Sequence, residues 1–239
     1  MRQLSRRFVI IAFLLVALAL GGCGNDNDNG TPSQTTPHSE SNIGGGPSFE
    51  SPLGITVAAD GRLLVVDSDL KALVQVAPVS GDRTILSDAS IGSGPDFRTP
   101  VGIAVAANGR LVVADLDLKA VVRVDPASGD RTILSDASIG SGPGFGSPHS
   151  IAVAADGSLV VADSSLKAVV RVNPVSGNRT ILSNGSIGSG PGFGSPLGIA
   201  VVADGSLVVV DSGLEAVVRV NPVSGDRTIL SDASIGSDL

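Results

Sequence analysis

Aromatic side chains are scarce in this sequence of 239 residues. It has no tryptophan and no tyrosine, and its phenylalanines number six. Sites that stack sugar rings or nucleic-acid bases rely on such side chains, so we expect no stacking site of that kind. The single cysteine, Cys23, cannot form a disulfide within the chain and cannot build a thiolate metal cluster.

Basic charge is also sparse. The chain has 16 Lys and Arg against 23 Asp and Glu, which gives a formal net charge of −7. Past the N-terminus the basic residues stand singly rather than in clusters. Because phosphate backbones are bound by clustered Lys and Arg, we expect no nucleic-acid partner.

The one long hydrophobic run covers residues 8–20 and follows three arginines. A run of this length behind a basic segment is typical of a signal peptide rather than a spanning helix. The Leu-Gly-Gly-Cys motif that ends at Cys23 resembles a bacterial lipobox, in which the cysteine is acylated and becomes the mature N-terminus. We interpret residues 1–22 as a lipoprotein signal peptide. An ordinary secretory peptide with an incidental cysteine is the alternative.

A lipid on Cys23 would place the protein on the bacterial cell envelope. The lipobox resemblance implies a diacylglyceryl group and an N-acyl chain, which together suffice for stable anchoring. Gly24 follows the cysteine where an inner-membrane retention signal would have aspartate, so in a Gram-negative cell we expect the outer membrane. Residues 23–46 are rich in Asn, Asp, Ser, Thr and Gly, a composition that predicts a flexible tether.

The rest of the chain, residues 47–239, is one unit repeated four times. Equivalent positions lie 48 residues apart, and residues 82–95 recur letter for letter at 130–143. A period of 20–50 residues indicates a solenoid, a propeller or an array, in which no unit buries its apolar face alone. The units cover about 52–99, 100–147, 148–195 and 196–239.

Each unit contains four short apolar runs separated by turns. In the first unit these runs are residues 54–59, 62–66, 71–76 and 83–86, with Asp60-Gly61 and Ser80-Gly81-Asp82 as turns. A parallel β-helix usually repeats at a shorter period, whereas a four-stranded propeller blade takes 40–50 residues. We therefore predict an all-β fold, a β-propeller of four four-stranded antiparallel blades.

The repeat also resembles a known family. The segments PLGITVAADGRLLVVDS, VGIAVAANGRLVVADL, HSIAVAADGSLVVADS and LGIAVVADGSLVVVDS are similar to the NHL-type repeat of SMP-30-like propellers. The resemblance covers all four units. It implies a blade but no single function, since similar propellers include gluconolactonases, streptogramin lyases and interaction modules.

Ring closure has three solutions, because many related propellers have six or more blades. The four blades close on themselves, remain an open arc, or join a second chain in a larger ring. We expect the closed four-bladed ring, since an arc would expose two apolar blade faces and favour homo-oligomers.

Two sets of residues are candidates for a site. An aspartate ends the second strand of every blade and suits either a divalent cation or a turn; these residues are Asp67, Asp115, Asp163 and Asp211. His149, followed by Ser150, replaces the Leu-Gly or Val-Gly of the other blades and is the candidate catalytic residue that the lyase resemblance suggests. The repeats contain no second histidine, so we assign no complete catalytic set and no cofactor-binding residue.

Two further repeated residues are expected to be structural. One phenylalanine per unit is predicted to fill the seam between blades; these are Phe49, Phe97, Phe145 and Phe193. One arginine per unit follows the Ser-Gly-Asp or Ser-Gly-Asn turn and is expected to be solvated, with Asp82, Asp130 and Asp226 as surface partners; these are Arg83, Arg131, Arg179 and Arg227.

The expected function is a lipid-anchored binding or scaffolding module without catalysis and without a required cofactor, whose protein or small-molecule partner the sequence does not name. The alternative is a metal-dependent enzyme, similar to gluconolactonases or streptogramin lyases, with its site at one mouth of the central channel and a divalent cation bound there.

Overall fold

The computed structural model describes residues 44–235, which form sixteen strands and no helix. The signal peptide, Cys23 and most of the tether lie outside the described residues. No helix long and apolar enough to cross a membrane occurs between residues 44 and 235. The strands are β1 Pro52–Val57, β2 Leu63–Asp67, β3 Ala72–Val76, β4 Arg83–Ser87, β5 Pro100–Val105, β6 Leu111–Asp115, β7 Ala120–Val124, β8 Arg131–Ser135, β9 Pro148–Val153, β10 Leu159–Asp163, β11 Ala168–Val172, β12 Arg179–Ser183, β13 Pro196–Val201, β14 Leu207–Asp211, β15 Ala216–Val220 and β16 Arg227–Ser231.

The predicted fold class is confirmed. Consecutive groups of four strands form four antiparallel meanders, each pairing its strands in chain order, and these meanders are the blades of a four-blade β-propeller. In blade 1, Ile55 pairs with Val65 and Val65 with Val74, so one line of apolar side chains crosses the sheet.

The third strand of each blade begins one residue later than the sequence suggested. Lys71 has a φ of 51°, and the residues equivalent to it in the other blades have φ values of 49–52°. This left-handed conformation belongs to a tight turn rather than to a strand. Each blade therefore turns at this residue, and its third strand starts at the following alanine.

The hydrophobic core consists of three clusters, one at each junction between consecutive blades. Phe97 lies in the cluster between blades 1 and 2, Phe145 between blades 2 and 3, and Phe193 between blades 3 and 4. All three rings are buried, which confirms the predicted seam role for these three, whereas Phe49, ahead of blade 1, is half-buried. Because each cluster draws on two blades, no blade has a complete core of its own.

The contacts between blades correspond to an open arc rather than to the expected closed ring. Extensive strand contacts join blades 1 and 2, 2 and 3, and 3 and 4, and none of comparable extent joins blade 4 to blade 1 within the described residues. Ile55 of blade 1 is 63% exposed, whereas its equivalents Ile103 and Ile151 are 6% and 4% exposed. The arc therefore ends in two open apolar faces.

Candidate functional site

The strand-end aspartates are buried and bonded to backbone N–H groups. Asp115 accepts hydrogen bonds from the backbone N–H groups of Arg98, Thr99 and Leu118 at 2.9, 3.1 and 3.0 Å. Asp163 accepts the same three bonds from Gly146, Ser147 and Leu166. Each carboxylate thus ties the loop that enters the blade to the turn between its second and third strands.

The contacts of these aspartates account for the turn role, and their cation role stays a prediction. Asp67 and Asp211 repeat the arrangement, and Asp211 also accepts a bond from Gly213 N–H at 3.0 Å. Among residues 44–235, no group of three or more His, Cys, Asp or Glu side chains is placed to hold a metal ion.

His149 lies near the start of β9, the first strand of blade 3, and is half-buried. The next residue, Ser150, accepts a hydrogen bond through its Oγ from Ile199 N–H of blade 4 at 3.3 Å. The blades approach closely here: a Cβ added to Gly102 would lie 2.8 Å from the carbonyl oxygen of His149. The position where blade 3 differs from its neighbours is therefore part of the junctions with blades 2 and 4.

The repeated arginines are the main polar feature that the sequence interpretation missed. Arg131 is buried, and its guanidinium donates to Ser87 Oγ at 2.7 Å, Ile91 O at 2.9 Å and Pro95 O at 2.7 Å. All three acceptors belong to the segment leaving blade 1. The Arg131 guanidinium also lies over the Phe97 ring, 5.7 Å from its centroid.

Blades 3 and 4 repeat this junction. Arg179 donates to Ser135 Oγ and Pro143 O, and Arg227 to Ser183 Oγ and Pro191 O, at 2.5–2.6 Å. Burial lowers the pKa of both guanidinium groups. The expectation of solvated charge is therefore wrong for Arg131, Arg179 and Arg227, because each of these side chains is hydrogen-bonded across the junction between two blades. The same arginine recurs in every unit, and this recurrence was the sequence feature that could have indicated a role at the junctions.

We call the acceptor group made by the end of a blade's fourth strand and the loop after it an arginine socket. The sockets of blades 1, 2 and 3 are filled by the arginine of the following blade. In blade 4, Ser231 and Ile235 hold the positions of Ser87 and Ile91, whereas Asp238 and Leu239 stand where the other blades have Gly94 and Pro95. Ser231 and Asp232 line a cavity of about 340 Å³ together with Val210, Asp211, Glu215 and Val217. No described arginine fills this fourth socket.

Blade 1 has part of the complementary arrangement. Its arginine, Arg83, donates to Pro47 O at 2.7 Å and to Gly44 O at 3.3 Å. Pro47 stands at the repeat position of Pro95, and Gly44 at that of Gly92. Ser39 and Ile43, at the repeat positions of Ser87 and Ile91, lie outside the described residues, so the sequence that leads into blade 1 copies a whole socket segment.

A second arginine crosses two of the junctions on the outer side. Arg123 on β7 donates to Pro174 O of the next blade at 2.8 Å, and Arg171 on β11 donates to Pro222 O at 2.7 Å. Arg219 is the equivalent residue of blade 4. Its side chain is 45% exposed and lies 3.6 Å from the carboxylate of Asp204 in its own blade.

The fold is shared with solved β-propellers, although the sequence matches no protein-family model and no curated protein. Virginiamycin B lyase from Staphylococcus aureus superposes with a TM-score of 0.59 at 20% identity, over 76% of this chain and 56% of the lyase. A gluconolactonase from Xanthomonas campestris gives 0.60 at 20% identity, over 76% and 63%. A chain of the nidogen/laminin complex gives 0.62 at 20% identity, over 75% and 64%. At these identities the likeness defines the class of protein, a β-propeller, and this chain spans less than two thirds of each neighbour.

Proposed function

We propose that the chain is a β-propeller binding module held on the bacterial envelope by a lipid on Cys23, with no catalytic activity. The observation that carries this proposal is the pair of open apolar faces at the ends of the arc. Surfaces of this kind on an otherwise packed protein mark interaction sites. Val210 is 51% exposed on the blade 4 face, whereas its equivalents Val66, Ala114 and Ala162 are fully buried.

The polar groups support the same proposal. The strand-end aspartates hold turns, the arginines hold junctions, and Ser150 bonds to the neighbouring blade. Catalysis brings unlike groups together around a reacting atom, and here the buried polar groups are, apart from Ser68, an aspartate, an arginine and a serine that recur from blade to blade. Their bonds are those of a scaffold.

An enzyme of the gluconolactonase or lyase kind is the second candidate, because proteins with those names share the fold. On that hypothesis His149 acts with a divalent cation at the mouth of the central channel. His149 is half-buried rather than enclosed, so a substrate could reach it.

Turnover assays separate the two functions. The full chain is supplied in turn with Ca²⁺, Mg²⁺ and Zn²⁺ and given a panel of lactones and virginiamycin B, beside a His149→Ala variant. We expect no product above the protein-free rate and no difference between the two proteins. Metal-dependent turnover that His149→Ala abolishes would establish the enzyme instead.

The anchor is tested on the same protein in a bacterial host. We expect the parent chain in the membrane fraction with acyl groups on Cys23, and a Cys23→Ser variant without them. An unacylated parent chain would overturn the lipid anchor and leave the binding function to be judged by the turnover assay.

A further inference from the structure

The two open faces of the arc are the two halves of a junction that the chain already builds three times. The blade 1 face consists of the exposed Ile55 and Val57 with the half-buried Leu63 and Val76, and the blade 4 face of the exposed Val210 and Leu230 with the half-buried Val208 and Val217. Inside the arc, the residues equivalent to the first face pack against those equivalent to the second. A blade 4 face can therefore pack against a blade 1 face in the way that the equivalent faces pack at the three internal junctions.

Polar groups at the two ends match in the same way. Arg171 reaches across a junction to the carbonyl of Pro222. At the end of the arc, Arg219 holds the position of Arg171, and Pro78 of blade 1 holds the position of Pro222. A second chain placed by the internal junction geometry would bring its Pro78 carbonyl to Arg219.

The arginine of blade 1 does not add to this match. In the junction between blades 3 and 4, the Arg227 guanidinium contacts Ser183 Oγ, Gly188 O and Pro191 O together. Arg83 has the equivalents of the last two in Gly44 and Pro47 of its own chain. Ser39 of the same chain stands at the repeat position of Ser183, so Arg83 does not require a hydroxyl from another copy, and the match between the two ends rests on the apolar faces and on Arg219.

The size of the structural neighbours bears on closure. Four blades of this chain superpose on 56–64% of longer propeller chains, so the rest of each longer chain has no counterpart in the arc. Propellers commonly have four to eight blades, and two copies of this chain supply eight.

We propose that two copies close head to tail into one eight-bladed ring, with blade 4 of each chain packed against blade 1 of the other. This proposal rests on the proposed binding function and names its partner as a second copy. The contact is heterologous, since each junction joins two different faces, and two copies make a closed ring rather than a filament when the rotation between them is half a turn.

Native mass spectrometry of the full chain released from detergent tests the ring. We expect a species with the mass of two copies. Ile55→Asp and Val210→Asp each place a carboxylate in both junctions of the ring, and burying a charge there without a partner is unfavourable. Each variant alone should raise the dissociation constant at least about 100-fold. Both residues are exposed in the single chain, so neither change should prevent folding.

A mixture of the two variants tests the head-to-tail arrangement. The Ile55→Asp copy keeps an intact blade 4 face, and the Val210→Asp copy keeps an intact blade 1 face. Mixed together they retain one good junction and should form a two-copy species that neither forms alone. Val175→Asp, at a residue of blade 3 that is 89% exposed and outside both faces, should behave as the parent chain.

Three results would overturn the ring. These are a parent chain that stays monomeric at micromolar concentration, open multimers that lengthen with concentration, and a two-copy species disrupted by only one of the two variants. A monomeric chain with no turnover would remove the second copy as partner and leave the binding function in place, whereas turnover in the separate assay would remove the function itself.

Discussion

At the scale of a single residue, Asp226 makes the stability of the junction between blades 3 and 4 depend on pH. Its carboxylate accepts hydrogen bonds from Ser224 Oγ at 2.6 Å and from the N–H and Oγ of Ser189 at 2.7 and 2.8 Å. These bonds lower the pKa of Asp226 from 3.8 to about 2. Ser189 belongs to the loop leaving blade 3, so the charged form of Asp226 joins the two blades.

The sign of the pH effect follows from that shift. Because the pKa is lower in the folded chain than in the unfolded chain, folding favours the ionised carboxylate. Its contribution to the free energy of unfolding is complete above about pH 4 and is lost as the pH falls toward 2. Urea unfolding from pH 7 to pH 2 should therefore show a decline in this window that Asp226→Asn reduces.

The chain contains a natural control for this experiment. Asn178 holds the position of Asp226 one blade earlier, and its Oδ1 accepts the N–H of Ser141 at 2.9 Å. An asparagine therefore maintains the junction without a charge, so Asp226→Asn should keep the fold at pH 7 while lacking the contribution of the ionised carboxylate. Asn178→Asp should add acid sensitivity. Identical pH profiles for the parent and both variants would contradict this role of the carboxylate.

At the scale of the strand junction, the buried arginine is the polar group whose loss should cost most. Arg179→Met leaves Ser135 Oγ, Ile139 O and Pro143 O without their charged donor. Buried groups left unpaired cost about 1–3 kcal/mol each, and relaxation recovers part of this. We expect the free energy of unfolding to fall by roughly 3 kcal/mol in urea titrations.

A matched substitution at a surface arginine distinguishes the loss of the junction hydrogen bonds from the general effect of removing a positive charge. The Arg62 side chain is 45% exposed and pairs with Asp60 at 2.7 Å. Exposed pairs contribute little, so Arg62→Met should change the stability by less than about 0.5 kcal/mol. An equal effect of the two substitutions would show that Arg179 does not hold the junction.

The same junctions show what the sequence could and could not predict. Four Asp-Gly or Asn-Gly turns at a constant spacing predicted the blades, because turn chemistry is local. Phe97 was predicted at a seam because it is the one large side chain available there. Arg131 was misread as solvated, since its acceptors are a serine hydroxyl and carbonyls 36–44 residues away. Every residue has a backbone carbonyl, so the sequence does not indicate which carbonyls will accept these hydrogen bonds.

The strand-end aspartates and His149 illustrate the same limit for the candidate site. Asp115 bonds within 17 residues of itself, so its turn role was predictable from the repeat. Ser150 bonds to Ile199 of the next blade, a contact that depends on how two blades meet. Comparison of the repeats therefore identified His149 and Ser150 as different from the other blades, but it did not predict that Ser150 contacts the next blade.

At the scale of the whole molecule, stability should vary along the arc. Blades 2 and 3 each have two packed junctions, whereas blades 1 and 4 each have one. In repeat proteins the stability of a unit depends on its nearest-neighbour interfaces, and poorly covered units open first. Native-state hydrogen exchange at low protein concentration should therefore show the strongest amide protection in β5 to β12.

Protein concentration then distinguishes a lone arc from a ring of two chains. If blade 4 of one copy covers blade 1 of the other, the amides of β1 to β4 and β13 to β16 gain an interface by mass action. Their protection should rise with concentration toward that of the inner blades, while β5 to β12 change less. The Val210→Asp variant should stay at the low-concentration pattern throughout. Terminal blades that are as protected as the inner ones in this variant would mean that four blades already share one closed set of junctions.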